Sequence, residues 1–240
     1  MPDSQTKTAI ITGASRGLGA ALAFAFAKQG FDLCLIARSA DELQQLQQQI
    51  SSTFSVKVSL YPYDLSDLTG ITALVERIYS EHPSIDLLIN NAGFGHYKPM
   101  NEHSPSEIIN MVNVNLTAPM LLTREVVTIM SKQNKGHVIN IGSDLAQKPL
   151  ANMTPYVATK HGLQGFSDSL LREVKGQGIK VTIINTGVIA TYFHNDQPSD
   201  HAPDTSLDPK QVADLIVQVY QTPSLQVVDQ ITLHPINQEF

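Results

Sequence analysis

Thr8-Ala9-Ile10-Ile11-Thr12-Gly13-Ala14-Ser15-Arg16-Gly17-Leu18-Gly19 lies near the start of the chain, and its reading decides the fold. Thr8 to Thr12 is a short β-branched run that ends in glycine, the pattern of a buried strand. Three glycines follow within seven residues, and Ala20 to Lys28 then continues as an Ala, Leu and Phe helix closed by Gly30. Strand, glycine turn and helix in this order give a unit whose next strand should lie parallel to the first.

The rest of the chain repeats that alternation. Phe31 to Ala37 reads as a second strand, and Asp41 to Ile50 as a helix with Leu43, Leu46 and Ile50 on one face. Val56 to Tyr61 reads as a third strand, Ile71 to Tyr79 as a helix, and Ile85 to Asn90 as a fourth strand. Ser104 to Ser131 is helical, with a break expected near Asn110 to Asn115, where three asparagines lower helix propensity. Gly136 to Ile141 is a fifth strand. Thr154-Pro155 starts a helix, since proline near the first helical position loses no hydrogen bond. Ile179 to Asn185 is a sixth strand, Pro209 to Tyr220 a helix capped by Asp208, and Gln226 to Leu233 a last strand. The strands are continuous apolar runs, as expected of a parallel sheet covered on both faces. The expected fold is α/β: a doubly wound parallel sheet of about seven strands with helices on both faces. No linker or repeat divides residues 1–240, which read as one domain.

Composition excludes several functions. The chain has 240 residues, 42% of them hydrophobic, and a net charge of −6 with no basic block, so nucleic acid and anionic membranes have no electrostatic footprint here. No apolar run approaches the roughly 18 residues that span a bilayer, and Met1 to Lys7 lacks the apolar core of a secretory signal. Cys34, the single cysteine, cannot form an internal disulfide and reads as a small buried hydrophobe. A soluble cytoplasmic protein is expected.

The residues that carry chemistry fall at the carboxyl ends of the strands, where open parallel sheets bind ligands. Gly13, Gly17 and Gly19 let the backbone turn tightly and approach a phosphate, and the helix behind aims free N–H groups at it. The second strand ends Ile36-Ala37-Arg38-Ser39 without the acid that would bond an unphosphorylated ribose. Arg38, with Arg16 from the glycine loop, suits a 2′-phosphate instead, so NADPH is the expected cofactor. Asp64 and Leu65 follow the third strand at the adenine position, and Asn91-Ala92-Gly93 would pass under the nicotinamide-side ribose. Tyr156 and Lys160, four apart, share a helix face. A cation beside the phenol is expected to lower its pKa from about 10 toward neutrality, where it can give or take a proton. Alone, such a pair is also an ordinary solvated helix face.

Taken together, these motifs resemble the classical short-chain dehydrogenase/reductase family, whose single domain is of Rossmann type. The matches are Thr12-Gly13-x-x-x-Gly17-x-Gly19, Asn90-Asn91-Ala92-Gly93, Asn115 within Val114-Asn115-Leu116, Ser143, Tyr156-x-x-x-Lys160 and Gly187-x-x-x-Thr191. They occur in the family's order and spacing over about residues 8 to 191. The resemblance implies roles. Tyr156 would be the general acid in carbonyl reduction, and Lys160 would bond the nicotinamide ribose. Ser143 would polarise the substrate oxygen, and Asn115 would hold a water linking Lys160 to solvent. Thr191 would contact the carboxamide with Val188 alongside. Gly13, Ser15, Arg16, Gly17, Leu18 and Gly19 would hold the cofactor's phosphates. It also implies a homodimer or homotetramer through the Asn115-region and Tyr156 helices.

Two departures stand out. Thr186 replaces the family's proline before Gly187, which removes loop rigidity but no chemical group. The segment Val228 to Pro235 lacks the glycine pair of the ketoacyl-carrier reductases and is closer to members acting on small carbonyl or hydroxy compounds. Residues 188–208, polar and aperiodic, match the family's substrate lid. His194, Asp196, Asp200, His201 and Asp204 within it have no recognisable ligand spacing, so no metal is expected. His96 and Tyr97 are candidates for the pocket wall. The function expected is NADPH-dependent, reversible reduction of a small ketone or aldehyde. The rivals are ketoacyl-carrier-protein reduction and NADPH sensing without turnover.

Overall fold

A computed structural model describes residues 6–193 and 197–238. The sheet contains β1 (Thr8–Thr12), β2 (Asp32–Ala37), β3 (Val58–Pro62), β4 (Leu87–Asn90), β5 (Gly136–Ile141), β6 (Ile179–Thr186) and β7 (Gln230–Leu233). Its order is β3-β2-β1-β4-β5-β6-β7, every pair parallel. The helices are α1 (Gly17–Lys28), α2 (Ala40–Ser51), α3 (Ile71–Glu81), α4 (Pro105–Val112), α5 (Ala118–Gln133), α6 (Thr154–Val174) and α7 (Pro209–Tyr220). Successive strand residues supply opposite faces. Ala9 and Ile11, with Leu33 and Leu35, pack under Leu22 and Phe26 of α1, Leu43 and Ile50 of α2 and Ile216 of α7. Ile10, with Cys34 and Ile36, packs on the other side with Leu74 and Ile78 of α3, Leu122 and Val126 of α5 and Leu170 of α6. Both faces are covered, which is why these strands read as unbroken apolar runs.

Several strands begin later than expected, three of them where other bonds claim their first backbone groups. Gln133 takes both the N–H and the carbonyl of Ile85, at 3.0 and 2.9 Å, so β4 starts at Leu87. The Lys57 N–H is held by the Asp32 carboxylate at 2.8 Å, and β3 starts at Val58. Gln226 closes a turn on the Pro223 carbonyl at 2.9 Å, and β7 starts only at Gln230. The expected break in the long helical region is a π-helical turn, Asn113–Thr117, joining α4 to α5.

The order of strands reverses between β1 and β4, a switch point that leaves a cleft at the carboxyl edge. Below that cleft lies a buried polar lattice. The Asn90 amide donates to Thr123 Oγ1 at 3.1 Å and to Asn140 Oδ1 at 2.8 Å. Asn140 Nδ2 donates to Ser167 Oγ at 2.8 Å, whose hydroxyl donates to the Leu163 carbonyl at 2.7 Å. One lattice thus ties β4, β5, α5 and α6 in register. Asn140→Ala leaves Asn90 Nδ2 without one of its acceptors and Ser167 Oγ without its donor, and should cost about 3 kcal/mol in urea unfolding, with the m-value unchanged. A loss under about 1 kcal/mol would show that the lattice is not structural.

Candidate active site

The carboxyl ends of β1, β4, β5 and β6 border one cavity of about 1000 Å³. At its β1 end the backbone comes very close to its neighbours. Gly13 and Gly17 have φ of +63° and +56°, a region that L side chains rarely adopt. A Cβ on Gly13 would lie 2.8 Å from Ala92 Cα, and one on Gly19 would strike the Gly13 carbonyl. Thr12 and Asn91 lock this junction. The Asn91 and Ala92 N–H groups donate to the Thr12 hydroxyl at 2.9 and 3.0 Å, and Asn91 Nδ2 donates back to the Thr12 and Gly13 carbonyls at 2.9 and 3.2 Å. Helix α1 has no side-chain cap and no acid in its first turn, so its free N–H groups face the cavity beside Arg16. This cradle fits a pyrophosphate.

Arg38, Ser39, Asp64 and Leu65 line the same end. Ser39 caps α2 by accepting from the Glu42 N–H at 3.2 Å. The Arg16 guanidinium lies 5.1 Å from the centre of the Tyr192 ring. Thr191 sits against the glycine loop, with its Cγ2 3.1 Å from where a Gly17 Cβ would be.

At the other end, α6 brings Tyr156 and Lys160 into the cavity wall, both buried. The Lys160 ammonium donates to the Ile141 carbonyl at 2.8 Å and lies 5.5 Å from the centre of the Tyr156 ring. Burial lowers its pKa to about 8. The Tyr156 phenol does not move as the four-residue spacing suggests. Burial pushes its pKa up, the Asp144 carboxylate adds to the rise, and the Ser143 hydroxyl opposes it. The i,i+4 spacing shows a neighbouring cation but not the loss of water, and the loss of water dominates.

Ser143 Oγ donates to Asp144 Oδ1 at 3.3 Å and accepts from the Leu145 N–H at 3.2 Å, so it is a turn cap as well as a cavity residue. Asn115, in the π-helical turn, accepts from the Phe94 N–H at 3.0 Å and donates to the Phe94 carbonyl at 2.8 Å and Thr159 Oγ1 at 3.2 Å. Its side chain pins the Gly93–Phe94 loop to α6. Gly93 lies over Lys160: a Cβ there would be 3.8 Å from Nζ. Gly187 and Val188 close the far wall, and His96, Tyr97 and His201 also line the cavity. His194 and Asp196 lie outside the described residues.

Thus all the expected residues of the glycine loop, Asn91 to Gly93, Ser143, Tyr156, Lys160, Gly187, Val188 and Thr191 share one cavity, and Asn115 stands behind its wall. A sequence model of the short chain dehydrogenase family matches residues 7–202. The chain belongs to the short-chain dehydrogenase family. Relatives align over most of its length. The dehydrogenase/reductase SDR family member 11 of Homo sapiens is 32% identical over 248 residues, covering 97% of this chain and 95% of its own. The NADP-dependent 3-hydroxy acid dehydrogenase of Schizosaccharomyces pombe is 32% identical over 222 residues, covering 88% and 85%. Among solved structures, the alcohol dehydrogenase of the archaeon Thermococcus sibiricus, complexed with 5-hydroxy-NADP, superposes with a TM-score of 0.91 at 25% identity, covering 98% and 99%.

This short-chain dehydrogenase also places residues in the cavity wall that sequence reading overlooks. Phe193 meets the Tyr156 ring edge-on at 5.5 Å. Asp144 follows Ser143 directly, so its adjacency was a usable signal. Gln238 comes from the tail and carries no local signal.

The buried lysine has a measurable consequence. Below about pH 8 Lys160 is charged in folded and unfolded chains alike, and its burial cost is fully present. Above that pH the folded chain releases the proton first, while the unfolded chain keeps it to 10.5, so stability rises with pH. Relative to Lys160→Met, the cofactor-free protein should gain about 2 kcal/mol between pH 8 and 10 in denaturant titrations. A difference independent of pH would mean that Lys160 is not desolvated.

Proposed function

We propose that this protein is an NADPH-dependent reductase of a small ketone or aldehyde, acting reversibly. The observation that carries the reading is a buried phenol, kept protonated by its surroundings, at one end of a cavity whose other end is an anion-binding glycine cradle. The relatives cited above include proteins named or solved with NADP, and the family to which the chain belongs supports a nicotinamide cofactor.

In this reading Gly13, Ser15, Arg16, Gly17, Leu18 and Gly19 hold the pyrophosphate, and Arg16 and Arg38 the 2′-phosphate. Asp64 and Leu65 take the adenine, Asn91, Ala92 and Gly93 the ribose, and Gly187, Val188 and Thr191 the nicotinamide side. A bound NADPH supplies the hydride. Ser143 turns its hydroxyl to the substrate oxygen and polarises the carbonyl. Tyr156 donates its proton to that oxygen as negative charge develops there. Lys160, over the ring of Tyr156, stabilises the phenolate left behind, and its pKa of about 8 lets it hand a proton on near neutrality. Asn115 fixes the loop and helix between which that proton leaves. Residues 188–208 act as a lid on the single catalytic domain.

Removing the acid tests the mechanism. Tyr156→Phe should lower kcat about 1000-fold while the Kd for NADPH stays within about threefold, and near-normal turnover would sink the assignment. Cofactor choice is tested separately. At equal concentrations kcat/KM should favour NADPH over NADH at least about tenfold, and Arg38→Asp should erase that preference, worth about 1.4 kcal/mol. A higher kcat/KM with NADH would overturn it.

A further inference from the structure

Among the described residues Asp144 is the one carboxylate at the reacting end of the cavity, and it neither gives nor takes the proton in the proposed reaction. It is buried at 3% exposure, and among the described residues no lysine or arginine pairs with it. Burying an unpaired carboxylate costs stability. Its charge also opposes ionisation of Tyr156. Its side chain is not needed to shape the turn after β5, since Ser143 caps that turn and the backbone carbonyl of Asp144 accepts from Gln147 and Lys148 at 2.9 and 3.0 Å. A buried carboxylate that the turn does not need, in a cavity wall, is explained by what it binds.

Its orientation is built from a distance. Gln238 Nε2 donates to Asp144 Oδ2 at 2.6 Å, while Gln238 Oε1 accepts from the Val188 N–H at 3.0 Å. Only one orientation of the amide satisfies a carboxylate on one side and an N–H on the other. The tail is seated there by further contacts: the Gly187 N–H donates to the Leu233 carbonyl at 2.8 Å, and the Gln238 N–H to the Pro235 carbonyl at 3.1 Å. A Cβ on Gly187 would lie 2.7 Å from His234 Cβ, so the loop is glycine where the tail crosses it. A carboxylate offers about four acceptor sites, of which Ser143 and Gln238 fill two. The remainder lie one hydrogen bond away from the hydroxyl that would hold the substrate oxygen.

We infer that Asp144, oriented by Gln238, is a specificity-determining residue. It selects carbonyl substrates bearing a hydroxyl or ammonium donor on the carbon next to the carbonyl, and turns away those in which a carboxylate takes the place of that carbon. Gln238 is a positioning residue that couples the tail to this wall. The inference rests on the reductase reading given above.

Hydroxyacetone, butanone and pyruvate differ at that one position, and they form the test with NADPH. The wild type should prefer hydroxyacetone to butanone by at least about tenfold in kcat/KM and use pyruvate least. Asp144→Asn and Asp144→Leu should each reduce the hydroxyacetone-to-butanone ratio about tenfold and raise the pyruvate-to-butanone ratio by a similar factor. Ratios unchanged in both variants overturn the inference. Gln238→Ala should raise KM for hydroxyacetone more than it lowers kcat. In the cofactor-free protein it should speed amide exchange at Val188 at least about tenfold, and unaltered exchange removes Gln238 from the device. If the wild type reduces none of the three, the reductase reading fails by itself. Specificity is then read from thermal stabilisation of the NADP⁺-loaded protein: a hydroxyacetone-over-butanone preference lost in Asp144→Asn upholds it, and an equal preference in both proteins overturns it.

Discussion

The hydroxyl of Thr12 accepts two backbone N–H groups, from Asn91 and Ala92, and the rest of the site depends on that junction. It joins the ends of β1 and β4, the two strands between which the sheet changes its winding direction. At such a point the connections leave in opposite directions and a cleft is unavoidable. The Thr12–Asn91 bonds set how far the two turns stand apart. With that separation fixed, the glycine turn has room only for backbone, which is why Cβ atoms at Gly13 and Gly19 would collide with main-chain atoms. The same crowding presents the α1 N–H groups to the cleft without an intervening side chain.

Beneath this junction the protein is polar where a parallel sheet is usually apolar. Asn90, Asn140, Thr123 and Ser167 form a buried lattice, and at the next strand Asn185 makes a second set of buried bonds, donating to Gln164 Oε1 at 2.8 Å and accepting from the Ser143 N–H at 3.2 Å. Each of these bonds contributes little net stability, but each broken one leaves a desolvated partner. Such a layer tolerates one arrangement only, so it holds the ends of β4, β5 and β6 at fixed height. Ser143 and the α6 residues Tyr156 and Lys160 inherit their positions from it.

Much of this was legible in the sequence, for a definite reason. Strands buried on both faces are largely apolar, so Thr8–Thr12, Gly136–Ile141 and Ile179–Thr186 stand out as runs despite the polar residues within them. Glycines forced by backbone crowding, as at Gly13 and Gly19, are visible without coordinates. Two classes of feature were not legible. Strand starts shifted where distant side chains compete for backbone groups, as Gln133 does at Ile85 from 48 residues away. Gln238 reaches Val188 across 50 residues, and no local pattern announces that return. The tyrosine's acidity belongs to the same class. Spacing along one helix reveals the Lys160 charge, but the desolvation that outweighs it comes from Met111, Phe94 and Phe193, packed in the same cluster from three other segments.

That reversal bears on how the proton would move. Were the phenol ionised at rest, it could only accept a proton, and reduction would have to wait for it to be recharged. Burial instead holds Tyr156 in its acid form, while Lys160 is the first of the two to lose its proton as pH rises. In the proposed reduction the resting site would then be set to donate. Phenolate would be reached only when a substrate oxygen takes the proton, and the ammonium over the ring, rather than water, would meet the charge. A dry site suits this exchange because the ring and the ammonium do not have to reorganise for it. The burial of Lys160 and Asp144, each costly to the fold, marks the end of the cleft where that dryness matters most.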